Sequence, residues 1–154
     1  KSIARPDELH TLRDAYLARS GQNAERKAAK ERIETRYWRA CLREITPYLE
    51  ERQARVIQRL HAVLDRAGLA EDGAIERTRG TRTIKVSVDD LEYNDIAYLK
   101  KQGGLADHAS QEERDAIDVC EAAKRVRDAI AHMRPPTPDA IRALTTKMDA
   151  LLQR

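Results

Sequence analysis

Apolar residues recur at helical spacing near the start of the chain and predict a short first helix. Pro6 suits the first position of this helix, and a turn over residues 20–23 ends it. The apolar positions between them are Leu9, Leu12, Tyr16 and Leu17. We expect residues 1–23 to form an N-terminal helix or linker ahead of a helical domain over 24–154.

A longer helical pattern runs from residue 24 to about residue 67, with apolar residues three, four or seven positions apart. Pro47 interrupts it, because proline removes a backbone donor and clashes with the preceding turn. The sequence therefore predicts either a kink here or two helices, with Thr46 capping the second. Gly68 is placed to end the pattern as a left-handed cap.

Residues 71–86 have a different character. Turn-forming residues at 78–81 precede a β-branched alternation at 83–86. Because one four-residue run does not make a stable sheet alone, a mobile loop is slightly favoured over a small hairpin. The arginines of this segment make it a candidate phosphate-contacting flap, and a solvated basic loop is the simpler interpretation.

The next segment reads as a helix again. Ser87 is a suitable cap, and the acidic residues at 89 and 90 lie where the positive end of a helix dipole favours them. The pattern continues through apolar residues to the glycines at 103 and 104, where we expect the helix to end.

Two further helices complete the chain. Ser110 and Glu113 form a capping-box pattern that opens a helix extending to about Met133. The prolines at 135 and 136 end it, and Thr137 caps a last helix with an apolar stripe. Together these patterns predict an all-α bundle of five or six helices with a small irregular or hairpin insertion around 71–86.

Charge and composition restrict the class of protein. The chain has 154 residues, with 29 Lys plus Arg and 26 Asp plus Glu, for a net charge of +3. This excess is too small to prove a nucleic-acid partner, although Arg, which outnumbers Lys, pairs bidentately with phosphate. The sequence contains no apolar stretch typical of a membrane span or signal peptide. Cys41 and Cys120 fall on apolar helix faces, so we expect reduced cysteines in a cytoplasmic protein.

Several common catalytic motifs do not occur in the sequence. It has no Gly-rich phosphate loop, no zinc-protease motif and no nucleophile elbow. The four histidines are too scattered for a metal site to be proposed from their spacing. We therefore expect no metal and no cofactor, and any chemistry must use arginine, histidine and carboxylates.

One segment near the end of the long C-terminal helix could carry such chemistry. Arg127 and His132 are five residues apart, which places them roughly 140° apart around a helix, so both can flank one groove. A guanidinium beside an imidazole suits phosphodiester chemistry, because imidazole can both take up and release a proton near neutral pH. From spacing alone, a surface pair or a core histidine is the simpler interpretation.

The run from Arg127 to His132 closes a long helix and precedes a proline-interrupted short helix. In this it resembles the Arg-x4-6-His signature of HEPN domains. Residues 89–99, DDLEYNDIAYL, are similar to the acidic-aromatic helix that precedes the signature helix in that family. The resemblance covers residues 87–152.

The resemblance implies an all-α homodimer that brings two motifs into one cleft and cuts RNA without a metal. His132 would act as general base or acid while the ribose 2′-hydroxyl attacks the adjacent phosphate, and Arg127 would stabilise the charge on the phosphoryl oxygens. Asp128, at a position where the family often has Asn, would orient the histidine. The products would be a 2′,3′-cyclic phosphate and a 5′-hydroxyl.

The same resemblance implies an RNA-binding surface around the motif and a defence or toxin system as its setting, with an antitoxin or neighbouring regulatory domain. Many active toxin-type members have Tyr where this chain has Arg134. The candidate RNA-binding residues near the motif are Arg134, Arg125 and Lys124, and the candidate flap at 71–86 adds Arg79 and Arg82.

Two other functions remain open at this point. One is a non-catalytic HEPN-like dimerisation or RNA-binding module of a larger protein. The other is a DNA-contacting arm, which the Arg-rich helix at 26–59 would supply.

Overall fold

The computed structural model describes residues 6–70, 72–79, 81–102 and 104–153, with the side chains of 6–8, 77–79 and 82 outside that description. Six α-helices and one antiparallel hairpin make up this part of the chain, which confirms the all-α bundle with a small insertion. The elements are α1 (Pro6–Ser20), α2 (Asn23–Gln58), α3 (His61–Arg66), β1 (Ala74–Arg79), β2 (Arg82–Ser87), a 3-10 turn (Val88–Asp90), α4 (Tyr93–Gln102), α5 (Gln111–Ala131) and α6 (Pro138–Leu152).

The core lies where α5 packs against α2, α4 and α6. Each helix contributes one apolar face, as the periodicity predicts. The helix α1 packs along α2, and its apolar positions Leu9, Leu12 and Tyr16 are exposed instead of buried. In the described part of the chain, no helix has the length and apolar character needed to span a membrane.

The helix α2 is continuous over 36 residues and includes Pro47. The prediction of two helices with Thr46 as the second cap is therefore wrong, while the kink stays a prediction. Buried residues on both sides of Pro47, Cys41 and Leu49 among them, hold the helix against the bundle. Their packing outweighs the loss of one backbone hydrogen bond, about 3 kcal/mol for an interior proline.

The break in this long pattern comes later than Pro47. The helix α2 ends at Gln58, and α3 follows as a separate short helix. Gly68 has a φ of +65° and donates its N–H to the carbonyl of Asp65 at 3.0 Å. It is the predicted left-handed cap, but it closes α3 and not one helix running from residue 24.

Residues 74–79 and 82–87 form the two strands of a hairpin, so the preference for a loop is wrong. Ile75 pairs with Val86 across the two strands, and Ile75 is fully buried in the core. A two-stranded sheet is marginal alone and becomes stable when it packs against other elements. The buried Ile75 supplies that packing.

Ser87 caps the 3-10 turn and not the α-helix that the sequence predicts at this point. Leu91, which is buried, has an extended backbone and separates the turn from α4. The helix α4 begins at Tyr93, where the buried Asp95 carboxylate accepts a hydrogen bond from the Glu92 N–H at 2.9 Å. The carboxylate thereby caps one of the N–H groups that a helix start leaves unpaired.

The predicted caps of α5 and α6 are confirmed. Ser110 and Glu113 form a capping box at the start of α5, and Thr137 accepts from the Ala140 N–H at the start of α6. Glu113 also receives the Arg66 guanidinium at 2.6 Å, with 11% of the Glu113 side chain exposed. The hydrogen bond from Arg66, which is the largest cause, lowers the pKa of Glu113 to about 2.

The helix α5 ends at Ala131, two residues before the predicted end. The Arg134 N–H donates to Ala129 at 2.8 Å and the Met133 N–H to Ile130 at 3.1 Å, which is a Schellman arrangement. Met133 has a φ of +55°, in the left-handed region that favours glycine. The end of α5 therefore carries backbone strain at a residue whose side chain is 72% exposed.

Both predicted core cysteines, Cys41 and Cys120, are buried free thiols. Burial raises the pKa of the Cys120 thiol.

Replacing Glu113 with Gln is expected to destabilise the protein at pH 7 by about 2 kcal/mol, because it removes charge-assisted hydrogen bonds to Arg66. The folded pKa lies below the ordinary value, so this stability is present above the ordinary carboxyl range. It is lost as the pH falls from about 5 towards about 2. Urea unfolding of both proteins across that range measures the difference in unfolding free energy, which should shrink at acid pH.

Glu112→Gln, at the neighbouring exposed pair with Arg59, is the control and should cost less than about 1 kcal/mol. A difference that does not change with pH contradicts the role given to the carboxylate.

Replacing Met133 with Gly is expected to stabilise the protein by about 0.5–1 kcal/mol, because glycine adopts a positive φ without strain. Met133→Ala is the matched control, since it shortens the exposed side chain and keeps the strain. The denaturant midpoint, at an unchanged slope, is the measurement. Equal effects of the two substitutions would show that the backbone conformation is not the cause.

Candidate functional site

The C-terminal end of α5 is anchored to α2 by an indole. The Trp38 Nε1–H donates to the Ile130 carbonyl at 2.7 Å, and the same carbonyl accepts from the Met133 N–H. For this residue, the one tryptophan of the chain, the sequence favours core or interface packing over base stacking, and the hydrogen bond adds a polar contact to that packing. The contact fixes the last turn of α5, from which the motif side chains project.

His132 is the capping residue at this end. Its backbone has left the helical region, with φ −90° and ψ 18°, and its N–H donates to the Asp128 carbonyl at 3.0 Å. The residue is exposed. The imidazole is therefore at the surface and within reach of a ligand from solvent.

Arg127 lies one and a half turns earlier and is half-buried, with 35% of its side chain exposed. Its Nη1 is 3.5 Å from Glu92 Oε2 and 3.4 Å from Gln53 Oε1. The Arg127 guanidinium thus contacts a carboxylate and an amide of its own chain, whereas the resemblance implies that it contacts a phosphate. The exposed fraction leaves part of that guanidinium open to solvent.

Asp128 pairs with Lys124, one turn earlier on the same helix. The pair is an i, i+4 contact on the solvent side of α5, with 53% of the Asp128 side chain exposed. Among the described contacts, Asp128 therefore pairs with Lys124, whereas the resemblance implies that it orients His132.

A shallow groove of about 170 Å³ runs beside these residues. It is lined by Glu92, Asn94, Lys124, Arg127, Asp128 and Ala131. The two cations and two carboxylates balance, so the groove of one chain has little net attraction for a polyanion. The structure brings Arg127, Asp128 and Lys124 together here, and His132 is not among the lining residues.

The remaining predicted RNA-binding residues lie apart from this groove. Arg125 is exposed and lines a second groove between α5 and α6, and Arg134 is exposed after the end of α5. Arg79 and Arg82 face each other across the hairpin tip, and their side chains lie outside the described part of the structure. The proposed surface is therefore divided among three places.

Sequence reasoning did not find the partners of Arg127. Glu92 stands in the acidic-aromatic segment, so its charge was visible although its contact was not. Gln53 gives no signal, because the contact joins positions 74 residues apart. Tyr93 lies in the same segment, where the sequence favours packing over a hydroxyl that lines the cleft. It is fully buried and donates to the Leu49 carbonyl, which confirms the packing.

Among the described residues, no group of three or more His, Cys, Asp or Glu side chains is arranged to hold a metal ion. The resemblance to HEPN domains depends on the motif and its position at a helix end. The comparison with protein-family models gives no match for this chain, and neither do the comparisons with curated proteins and with solved structures.

Proposed function

We propose that the protein is a metal-independent endoribonuclease of the HEPN type, working as a homodimer in a defence or toxin system. The observation that carries the proposal is the exposed imidazole of His132 at an anchored helix end, with Arg127 one and a half turns before it on the same helix. An anchored end limits the motion of a catalytic group, which general acid–base chemistry requires.

In the proposed reaction, the His132 imidazole takes a proton from the ribose 2′-hydroxyl as that oxygen attacks the adjacent phosphorus. The bond to the 5′-oxygen breaks, and a second imidazole protonates the leaving oxygen. Arg127 stabilises the charge that builds on the non-bridging oxygens. The products are a 2′,3′-cyclic phosphate and a 5′-hydroxyl, and DNA is spared because it has no 2′-hydroxyl.

The proposed reaction needs a second imidazole, and a second copy would supply it through its own exposed His132. Glu92 and Asp128 offset Arg127 and Lys124 in the groove of each chain, so added positive charge in such a dimer would come from the exposed Arg134 of each copy.

The second candidate function is a non-catalytic RNA-binding or dimerisation module. The contacts of Arg127 with Glu92 and Gln53 favour it, because a guanidinium in two such contacts is a positioning group for the fold. Cleavage of RNA distinguishes the two candidates.

His132→Ala and Arg127→Ala are each expected to lower RNA cleavage in EDTA at least about 100-fold, because each removes a group that acts in the transition state. Cleavage of a labelled RNA is the measurement, with the cyclic phosphate identified on the product. His108→Ala and Arg142→Ala, at exposed positions elsewhere, are the matched controls and should keep full activity. If RNA decays equally with all five proteins, the endoribonuclease proposal is wrong and the non-catalytic module is the remaining candidate.

Glu92→Gln is expected to raise RNA cleavage about two- to fivefold, because the carboxylate competes with phosphate for Arg127 and the pair is half-exposed. Glu50→Gln, an exposed change of the same kind on α2, should leave the rate unchanged. The ratio kcat/KM of the two variants and the unsubstituted protein is compared. A rate equal to or below that of the unsubstituted protein contradicts the role of Arg127.

A further inference from the structure

Before Cys41, no described residue of α2 is among the buried members of the core cluster, and this first part of the helix packs along α1. Trp38 meets Ile130 one residue before α5 ends, whereas α2 begins at Asn23. The 15 residues before Trp38 correspond to about 22 Å of helix. The helix α1 packs along α2, so the two form a helical hairpin at this end of the molecule.

Positive charge is concentrated on this part of the chain. Residues 23–43, here called the basic segment, contain seven Lys or Arg and three Asp or Glu. The helix α5, which carries the motif, contains four Lys or Arg and six Asp or Glu. The positive field that a polyanion would meet first thus lies on the basic segment and not on α5.

Arg32, Arg36, Arg39 and Arg43 lie on one face of the basic segment, since they are spaced four, three and four residues apart. They span about 16 Å along the helix. Such a row can contact successive phosphates of one strand.

Two of these arginines are held by a buried carboxylate. Asp14 of α1, with 5% of its side chain exposed, contacts Arg32 at 2.7 Å through Oδ1 and Arg36 at 2.7 Å through Oδ2. Arg32 donates to this carboxylate from Nε and Nη2, two of its five N–H donors, whereas the Arg36 contact is an ion pair without a hydrogen bond. The two side chains are 48% and 40% exposed, so part of each guanidinium stays open to solvent.

A groove of about 390 Å³ opens at this position. It is lined by Ala28, Glu31, Arg32, Thr35, Arg36 and Arg39. Among these lining residues Glu31 alone is acidic, so the three arginines keep a net charge of +1 after Glu31 and Asp14 each offset one of them. A groove with oriented guanidinium groups matches the geometry of a phosphodiester.

We propose that this groove binds the backbone phosphates of single-stranded RNA, as a site separate from the end of α5. The proposal deepens the proposed RNA cleavage and rests on RNA as the ligand, but it does not use His132. The basic segment holds the strand through its phosphates, without reading the bases, and so raises the affinity for any sequence.

The test measures binding of a fluorescently labelled oligouridylate by the full chain carrying His132→Ala, in EDTA, over a series of salt concentrations. Arg39→Gln is the main variant, because Arg39 lines the groove and is outside the contacts with Asp14. It should weaken binding about five- to tenfold at low salt and reduce the slope of log affinity against log salt by about 0.7.

Glu31→Gln should strengthen binding severalfold, which a purely structural role of the groove does not predict. Arg142→Gln, an exposed arginine on α6, is the matched control and should leave the affinity within twofold of the parent. No change with both groove variants, or an equal loss with the control, overturns the site.

A duplex DNA of the same length is the second ligand. Tighter binding of the duplex, with the same loss on Arg39→Gln, overturns RNA as the source of the phosphates. The binding assay uses the His132→Ala protein and is therefore independent of cleavage. If RNA binds at this groove but the unsubstituted protein does not cut RNA, the proposed cleavage is wrong and the binding site stands.

Discussion

The packing of α5 against α2 is the constraint on which the other features depend. One face of α5 buries seven apolar residues against its neighbours: Ala116, Ile117, Val119, Cys120, Ala123, Val126 and Ile130. Polar contacts fix both ends of α5, with Glu113 bound to Arg66 of α3 at the start and the Ile130 carbonyl bound to Trp38 of α2 at the end. The helix can then neither slide nor rotate, because either motion would expose apolar surface and break a buried contact. The outward positions of Arg127, Asp128 and His132 follow from that fixed orientation.

The arrangement of charge separates two tasks that a protein acting on a polyanion must perform. Beside the motif, cations and carboxylates alternate at short range, which fixes individual side chains but produces little field at a distance. On the basic segment, the excess of cations produces a field that extends to about a Debye length. In the proposed function, the ligand would therefore bind first at the basic segment of α2 and react at the end of α5.

The comparison of sequence with structure shows which signals are local. The capping box at Ser110, the cap at Thr137 and the left-handed Gly68 each depend on a few neighbouring residues, and all three could be predicted. The hairpin could not, because its stability comes from Ile75 in a core that forms from distant elements. The continuity of α2 through Pro47 has the same cause.

The candidate site divides in the same way. The sequence identified Arg127, Asp128 and His132 and their position near a helix end, since the motif and the helix-ending prolines are close together in the chain. It did not identify what Arg127 contacts, because Gln53 and Glu92 come from other elements. Nor did the sequence indicate that Asp14 is buried while the apolar residues around it on α1 are exposed. The burial of Asp14 depends on its contacts with Arg32 and Arg36 of α2, which are distant in the chain.

Pro47 has a mechanical consequence for the long helix. With no N–H at this residue, the carbonyl of Arg43 lacks its usual partner, and the ladder has a gap within the stretch that packs against the bundle, between the buried Cys41 and Leu49. A rod of about 54 Å bends most easily where its hydrogen bonds are interrupted. The hydrogen bond from Trp38 and the buried Cys41 clamp α2 on the N-terminal side of this gap. The clamp prevents the weak point from acting as a hinge, so the groove beside Asp14 stays at a constant distance from the end of α5.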